Sequence, residues 1–204
     1  MMRRALSGDE AALHVLAAAT FPLACPPGST ESDQRDFIAE HLSEESFARH
    51  LRDPERAIFV ALPGGSEDGS EGGSADGSEG GSADGSEGGS ARSFLGYTML
   101  VFGEPTDPQV RRAIKGRPAA ELSKCYALPS AHGKGIAAQL VAASVAEASA
   151  RGARTLWLGV NEENTRAQRF YAKQGFAVTG TKQFQVGSRL ENDFVLAMPI
   201  SSNS

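Results

Sequence analysis

Residues 131–140 read AHGKGIAAQL, with two glycines one residue apart just before an alanine-rich run of helical period. A strand ending at Leu128 and Pro129 passes through this loop into the start of a helix. The first amides of a helix have no partner within it, and the helix dipole adds partial positive charge there. Gly133 and Gly135 present no side chain to hold an anion away, and Lys134 adds a full charge. The natural guest of such a loop is a phosphate or pyrophosphate. Spacing tests two nucleotide loops against it. A Walker A loop requires Ser or Thr directly after Gly-Lys, where this chain has Gly135. GKGIAA does satisfy G-x-G-x-x-A, but that loop begins directly after its first strand and needs an acid at the tip of the next. Here Pro129 to His132 intervene, and the next strand, TLWLGV, runs into Asn161.

The apolar pattern on either side sets the architecture. AAELSKCYALP reads as a strand, and GIAAQLVAASVAEASARG as a helix stopped by Gly152. Ile136, Leu140, Val141, Val145 and Ala148 share one side of that helix, with Ser144 small enough to sit against a neighbour. RTLWLGV has the near-continuous apolar run of a strand buried on both faces. NTRAQRFYAKQG is a short helix ended by Gly175, and FAVTGTKQFQV with NDFVLAMPI makes a closing antiparallel pair. Upstream, Ser7 and Glu10 have the spacing of a capping box for a first helix carrying Leu13, Leu16 and Ala17. A second helical stretch presents Phe37, Ile38 and Leu42. A third, capped by Ser43, presents Phe47 and Leu51. The expected fold class is α/β, a mixed sheet flanked by helices in one domain over residues 1–204.

RAIFVAL and SFLGYTMLVFGEP read as two strands of a hairpin, separated by DGSEGGSA three times in tandem from Asp68 to Ala91. Gly, Ser and acidic residues cannot bury enough apolar surface to offset ordering entropy. Residues 64–91 are therefore expected to form a disordered acidic loop inserted in the hairpin, tolerated because closure entropy grows slowly with length. This stretch holds seven acidic and no basic residues, so the rest of a chain of net charge -5 is slightly basic overall. No basic stripe of the kind a nucleic-acid backbone requires is visible. Cys25 and Cys125 form no CxxC and no metal-ligand cluster, which fits a reducing, cytoplasmic setting without a bound metal. The N-terminal MMRRALSGDEAALHVLAAATFPLAC is interrupted by Asp9, Glu10 and His14, unlike a signal peptide, and no run is long enough to span a membrane.

HGKGIA, followed 29 residues after Gly135 by NTRAQRFYAKQGF, closely resembles the GNAT N-acetyltransferase superfamily. Its pattern is Arg/Gln-x-x-Gly-x-Gly/Ala before one helix and Asn-x-x-Ala-x-x-x-Tyr on the next. Gly135, Ala137, Asn164, Ala167 and Tyr171 match, while His132 stands where the family has Arg or Gln. TFPLA, SEESFARHL, ELSKCYALPSAHGKG, WLGVNEEN and GSRLENDFVLAMPI extend the resemblance to the PaiA-type spermidine/spermine acetyltransferases. That family opens with a full first strand; Met1 to Leu6 leave room only for a stub, unless the start lies upstream.

The resemblance implies a central, mostly antiparallel sheet with a parallel pair at the coenzyme A site. It implies acetyl-CoA as the acyl donor and a primary amine, favoured to be a polyamine, as acceptor. The backbone of Cys125, Tyr126 and Ala127 would pair with the pantetheine arm. His132, Gly133, Lys134, Gly135, Ile136, Ala137 and Ala138 would surround the pyrophosphate, and Asn164 would bond the pantetheine chain. Tyr171, two helical turns after Asn164, would protonate the departing thiolate. Glu121 is the leading base, expected to share a strand face with Ser123 and Cys125; Glu163 is a weaker candidate. Glu31, Asp33, Asp36 and Glu40 would form either an acidic approach for a polyamine or simply a solvated helix face. An amino acid, an antibiotic or a protein amine is the alternative acceptor, and a non-catalytic acyl-CoA-binding regulator the alternative outside catalysis. A homodimer is allowed. Deleting Asp68 to Ala91 should leave both the melting temperature and the activity nearly unchanged; a scan and an assay of the shortened chain check this.

Overall fold

The computed structural model describes residues 1–25, 28–63, 93–186 and 189–200. The acidic repeat expected to be a disordered loop lies outside them. The elements run β1 (Met2–Arg4), α1 (Glu10–Thr20), α2 (Glu31–His41), α3 (Glu44–Arg52), β2 (Arg56–Ala61) and β3 (Gly96–Phe102). They continue with α4 (Pro108–Ala113), β4 (Ala119–Ala127), α5 (Ile136–Ala150), β5 (Thr155–Asn161), α6 (Thr165–Lys173), β6 (Ala177–Val186) and β7 (Arg189–Pro199). Seven strands form one sheet in the order β1-β2-β3-β4-β5-β7-β6. Every neighbouring pair is antiparallel except β4 with β5. The mixed α/β sheet flanked by helices is as expected, and β1 is the three-residue stub. None of the described helices is long and apolar enough to cross a membrane.

Period-two alternation divides the sheet into two faces. On β2, Ala57 faces α5 and α6 while Ile58 and Val60 face α1 and α3. On β5, Leu156, Leu158 and Val160 join the α5/α6 side, and Trp157 the other. Helix α5 comes unusually close to β3. A Cβ on Gly96 would lie 2.8 Å from the Tyr126 carbonyl oxygen and 3.0 Å from Leu140 Cδ1. Ser144, fully buried, donates to the Leu140 carbonyl and lies 2.9 Å from the Thr98 hydroxyl, so the small residue fills the contact. At the far end of α5, Gly152 takes a φ of +78°, and the Ala153 amide reaches back to the Ala148 carbonyl. That is the Schellman closure the glycine predicted.

Two expectations need correction. Helix α1 begins at Glu10 with Asp9 as N-cap residue, and Ser7 makes no capping box. Glu10 bonds the Gly8 amide, and the buried Asp9 carboxylate takes the Leu6 amide and a two-pronged contact with Arg3 at 2.6 and 2.9 Å. A carboxylate that gathers three donors ties β1 to α1, a stronger function than a serine cap. Helix α4 was not read from the sequence, although Asp107 caps it and Pro108 occupies its first turn. Its Val110 packs with Ile114, Ala119 and Trp157. Asp9→Ala would leave Arg3 without its counter-ion and the Leu6 amide without its acceptor, and should lower stability by about 3 kcal/mol. Urea unfolding of the variant measures it.

Candidate active site

The glycine loop joins β4 to α5, as the sequence required. Gly133 and Gly135 have φ of +77° and +73°, left-handed conformations that glycine adopts without strain. No side chain caps α5. Its first ladder bond runs from the Gln139 amide to the Gly135 carbonyl, so the amides of Ile136, Ala137 and Ala138 precede the ladder. No atom outside the loop lies within 4 Å of where a Cβ would stand on Gly133. The loop is thus an exposed set of donors, with Lys134 beside it also exposed. His132 is exposed, and its Nδ1 lies 2.9 Å from Arg166 Nη2 on α6. A guanidinium therefore stands next to the position where the family carries one.

β4 and β5 pair only at Ala119–Thr155, Ala120–Leu156 and Glu121–Trp157. Beyond Glu121 the two strands separate, while β4 stays paired to β3 on its other side up to Ala127. The cause lies in β4 itself. Lys124 pairs with Met99 and Leu122 with Leu100, so Ser123 is an extra residue opposite an unbroken β3. Such a bulge bends a strand and increases its twist. It also resets the alternation, which corrects the expected shared face. Glu121, Lys124 and Tyr126 stand opposite Val101, Met99 and Tyr97 on the α1–α3 side. Cys125, opposite Thr98, turns to the α5/α6 side and packs near Tyr171.

Asn164 caps α6 by accepting the Ala167 amide at 3.0 Å, which leaves its side-chain NH2 as the outward donor. Two turns later Tyr171 contacts the rings of Phe170 and Phe176, and its hydroxyl is electrostatically coupled to the Cys125 thiol. Burial holds both groups protonated: the thiol is pushed up to about 11, and the phenol well above its ordinary value. Cys125, Tyr171 and the unpaired edge of β4 thus meet at the mouth of the strand gap, with the glycine loop on the same chain segment beyond Ala127.

Across the sheet lies a cleft of about 500 Å³, bordered by Phe37 and His41 of α2, His50 of α3, Arg56 of β2, and Glu121, Ser123, Lys124 and Tyr126 of β4. Lys182 and Asp193, paired at 3.7 Å, form its far wall beside Gly159. A larger hollow of about 710 Å³, bounded by Ala113 to Arg117 and the end of β7, shares no residue with this cleft. Burial raises the Glu121 carboxyl above its usual range, opposed by Lys182, Lys124 and Arg56. Burial lowers Lys124, opposed by Glu121 and assisted by Arg56. His50 falls to about 4, through burial and then through Arg56, Lys124 and Arg49. It is a neutral imidazole at any working pH.

Glu121 is therefore brought to the cleft, whereas Glu163 is exposed and does not line it. Glu31, Asp33, Asp36 and Glu40 are exposed on α2 and absent from the cleft wall, which α2 borders with Phe37 and His41. These carboxylates form a solvated helix face. Sequence reasoning missed Lys124, Arg56, His50 and Lys182. Only Lys124 carried a signal, as the one cation of its strand. Among the described residues no group of three or more His, Cys, Asp or Glu could hold a metal ion.

Comparisons with known proteins agree with this geometry. The model of the Acetyltransferase (GNAT) family matches residues 79–176. The chain is 38% identical over 188 residues to an uncharacterized N-acetyltransferase of Mycobacterium tuberculosis, covering 92% of this chain and 96% of that relative. A Mycobacterium bovis uncharacterized N-acetyltransferase gives the same figures. Among solved structures, the fold is similar to that of the PaiA N-acetyltransferase from Thermoplasma acidophilum in complex with coenzyme A. The TM-score is 0.67 and the identity 17%, over 98% of each chain. It is also similar to the ribosomal-protein-S18-alanine N-acetyltransferase from Escherichia coli, with TM-score 0.60 and 16% identity over 100% of this chain and 96% of that one. A sheet splayed after three parallel residue pairs, a bare-amide glycine loop and a relative this similar over nearly its whole length lead to one conclusion: the chain belongs to the GNAT family and is an N-acetyltransferase.

Proposed function

We propose that the enzyme transfers acetyl from acetyl-CoA to a primary amine, with donor and acceptor approaching the β4–β5 gap from opposite faces of the sheet. The observation that carries this reading is the gap itself. It exposes one edge of β4 between Tyr171 on one face and Glu121 on the other. The donor set suits a pyrophosphate: the Gly133, Gly135, Ile136, Ala137 and Ala138 amides with Lys134, and open space in front of the glycines. His132 with Arg166 adds cationic reach at the rim. The free edge at Cys125, Tyr126 and Ala127 offers strand-like hydrogen bonds to the pantetheine amides, and the Asn164 NH2 a further one. Acetyl-CoA supplies the activated acetyl group.

The amine nitrogen forms its bond to the acetyl carbonyl carbon as the carbon–sulfur bond breaks. Glu121 takes a proton from the incoming ammonium through water, and its raised basicity brings it nearer to working pH. An amide on the open edge of β4 donates to the carbonyl oxygen as charge builds there. Tyr171, held as a phenol by burial, gives its proton to the departing sulfur and regains one from solvent, to which the acylated nitrogen loses its second proton. The polyamine that the resemblance favours is poorly matched to the cleft. Among the described residues that line it, Arg56, Lys124 and Lys182 outnumber the carboxylates of Glu121 and Asp193, and Asp193 is already engaged by Lys182.

Tyr171→Phe should keep coenzyme A affinity in calorimetry while lowering kcat about ten-fold or more; unchanged turnover would remove Tyr171 from the reaction. Glu121 must be ionised to act, so kcat/KM should rise with pH through a midpoint above the usual carboxylate range. Glu121→Gln should abolish that inflection in the pH profile.

A further inference from the structure

Among the described residues, the cleft beside Glu121 carries one cation that makes no hydrogen bond or ion pair within the fold. Arg56 is held by Asp53 at 3.0 Å and touches Met99 Sδ, and Lys182 is held by Asp193. Lys124 has no hydrogen-bond or ion-pair partner among the described residues. Its ammonium lies 6.0 Å from the centroid of the Phe37 ring, and Glu121 acts on it through space without forming an ion pair. Burying an ammonium without a directly bonded counter-ion is unfavourable, and burial weakens the charged form of Lys124 more than Glu121 supports it. The same corner carries enough positive potential from Arg56, Lys124 and Arg49 to help hold His50 neutral.

A partner for Lys124 is therefore to be sought in the ligand. The bulge places Lys124 on the same face as Glu121, with Leu122 turned away and Ser123 accommodated as the extra residue. Counting one pleat, their Cα atoms lie roughly 7 Å apart. The cleft therefore presents a carboxylate and an unpaired ammonium side by side, the complement of a molecule that carries both charges. Resting on the acetyl-transfer reading above, we propose that the acceptor is a small amino-carboxylic acid. Its carboxylate sits on Lys124, with Arg56 behind, and its amine is delivered to Glu121 and the β4–β5 gap. A polyamine would supply the second charge with the wrong sign and would be repelled at the same place.

The test pairs amines that differ only in a carboxylate: lysine with cadaverine, arginine with agmatine, phenylalanine with phenethylamine, and 5-aminopentanoate with pentylamine, with spermidine alongside. Thiol release from acetyl-CoA is followed for each, and coenzyme A binding is measured separately by calorimetry. The carboxylate-bearing member of at least one pair should show kcat/KM ten-fold or more above its partner and above spermidine. Lys124→Met should bring that ratio toward one, chiefly through KM, and Lys124→Arg should restore part of it. Preference for the amines lacking a carboxylate, no turnover of any amino acid, or an equal loss on both members in Lys124→Met overturns the proposal while coenzyme A still binds. Absence of coenzyme A binding instead overturns the acetyl-transfer reading beneath it.

Discussion

A parallel pair of strands normally keeps its hydrogen bonds along its length, because each unpaired amide or carbonyl in the interior is costly. Here β4 leaves β5 after three residue pairs, and Ser123 is the reason. One residue more than β3 can match bends the strand, frees an edge, and shifts which side chains face which side. Were Ser123 a regular paired member of the strand instead, Cys125 would share a face with Glu121, and Lys124 would point away from it. The unpaired edge, the placement of Glu121 with Lys124, and the contact of Cys125 with Tyr171 all descend from this bulge.

The rest of the fold holds that edge in place. On one face, α5 is seated against β3 by Gly96 and by the buried Ser144–Thr98 contact, which fixes where the helix begins and hence where its free amides stand. On the other face, α1 and α3 pack with Ile58, Val60, Tyr97 and Met99, while α2 borders the cleft. Donors positioned before any ligand arrives need little ordering on binding, which favours both affinity and rate.

Much of this was legible in the residues. The glycine loop, both helices that follow it, the closing hairpin and the Ser43 cap could be read from spacing and period because each depends on a few neighbours in sequence. The motif also put Asn164 at the start of α6 and Tyr171 two turns along it. What failed depended on partners distant in sequence. The bulge at Ser123 exists only relative to β3, so plain alternation from Glu121 put Cys125 on the wrong face. Ser7 and Glu10 match a capping pattern, but Arg3 and the Leu6 amide draw Asp9 into the capping position instead. The carboxylates of α2 looked like a guide for cations until the helix was seen to turn Phe37 and His41 to the cleft. Helix α4 is only six residues long, and its tertiary contacts with β6 and Trp157, rather than its pattern, account for it.

Gly159 has a further bearing on the cleft. It lies on β5, and a Cβ there would stand 2.5 Å from Lys182 Cε, so the lysine passes through the room that a missing side chain leaves. Lys182 belongs to β6, the outermost strand, separated from β4 by β7 and β5. Its charge nevertheless opposes the effect of burial on Glu121. The rim of the sheet thereby helps tune an acid near its centre, through a corridor one hydrogen atom wide.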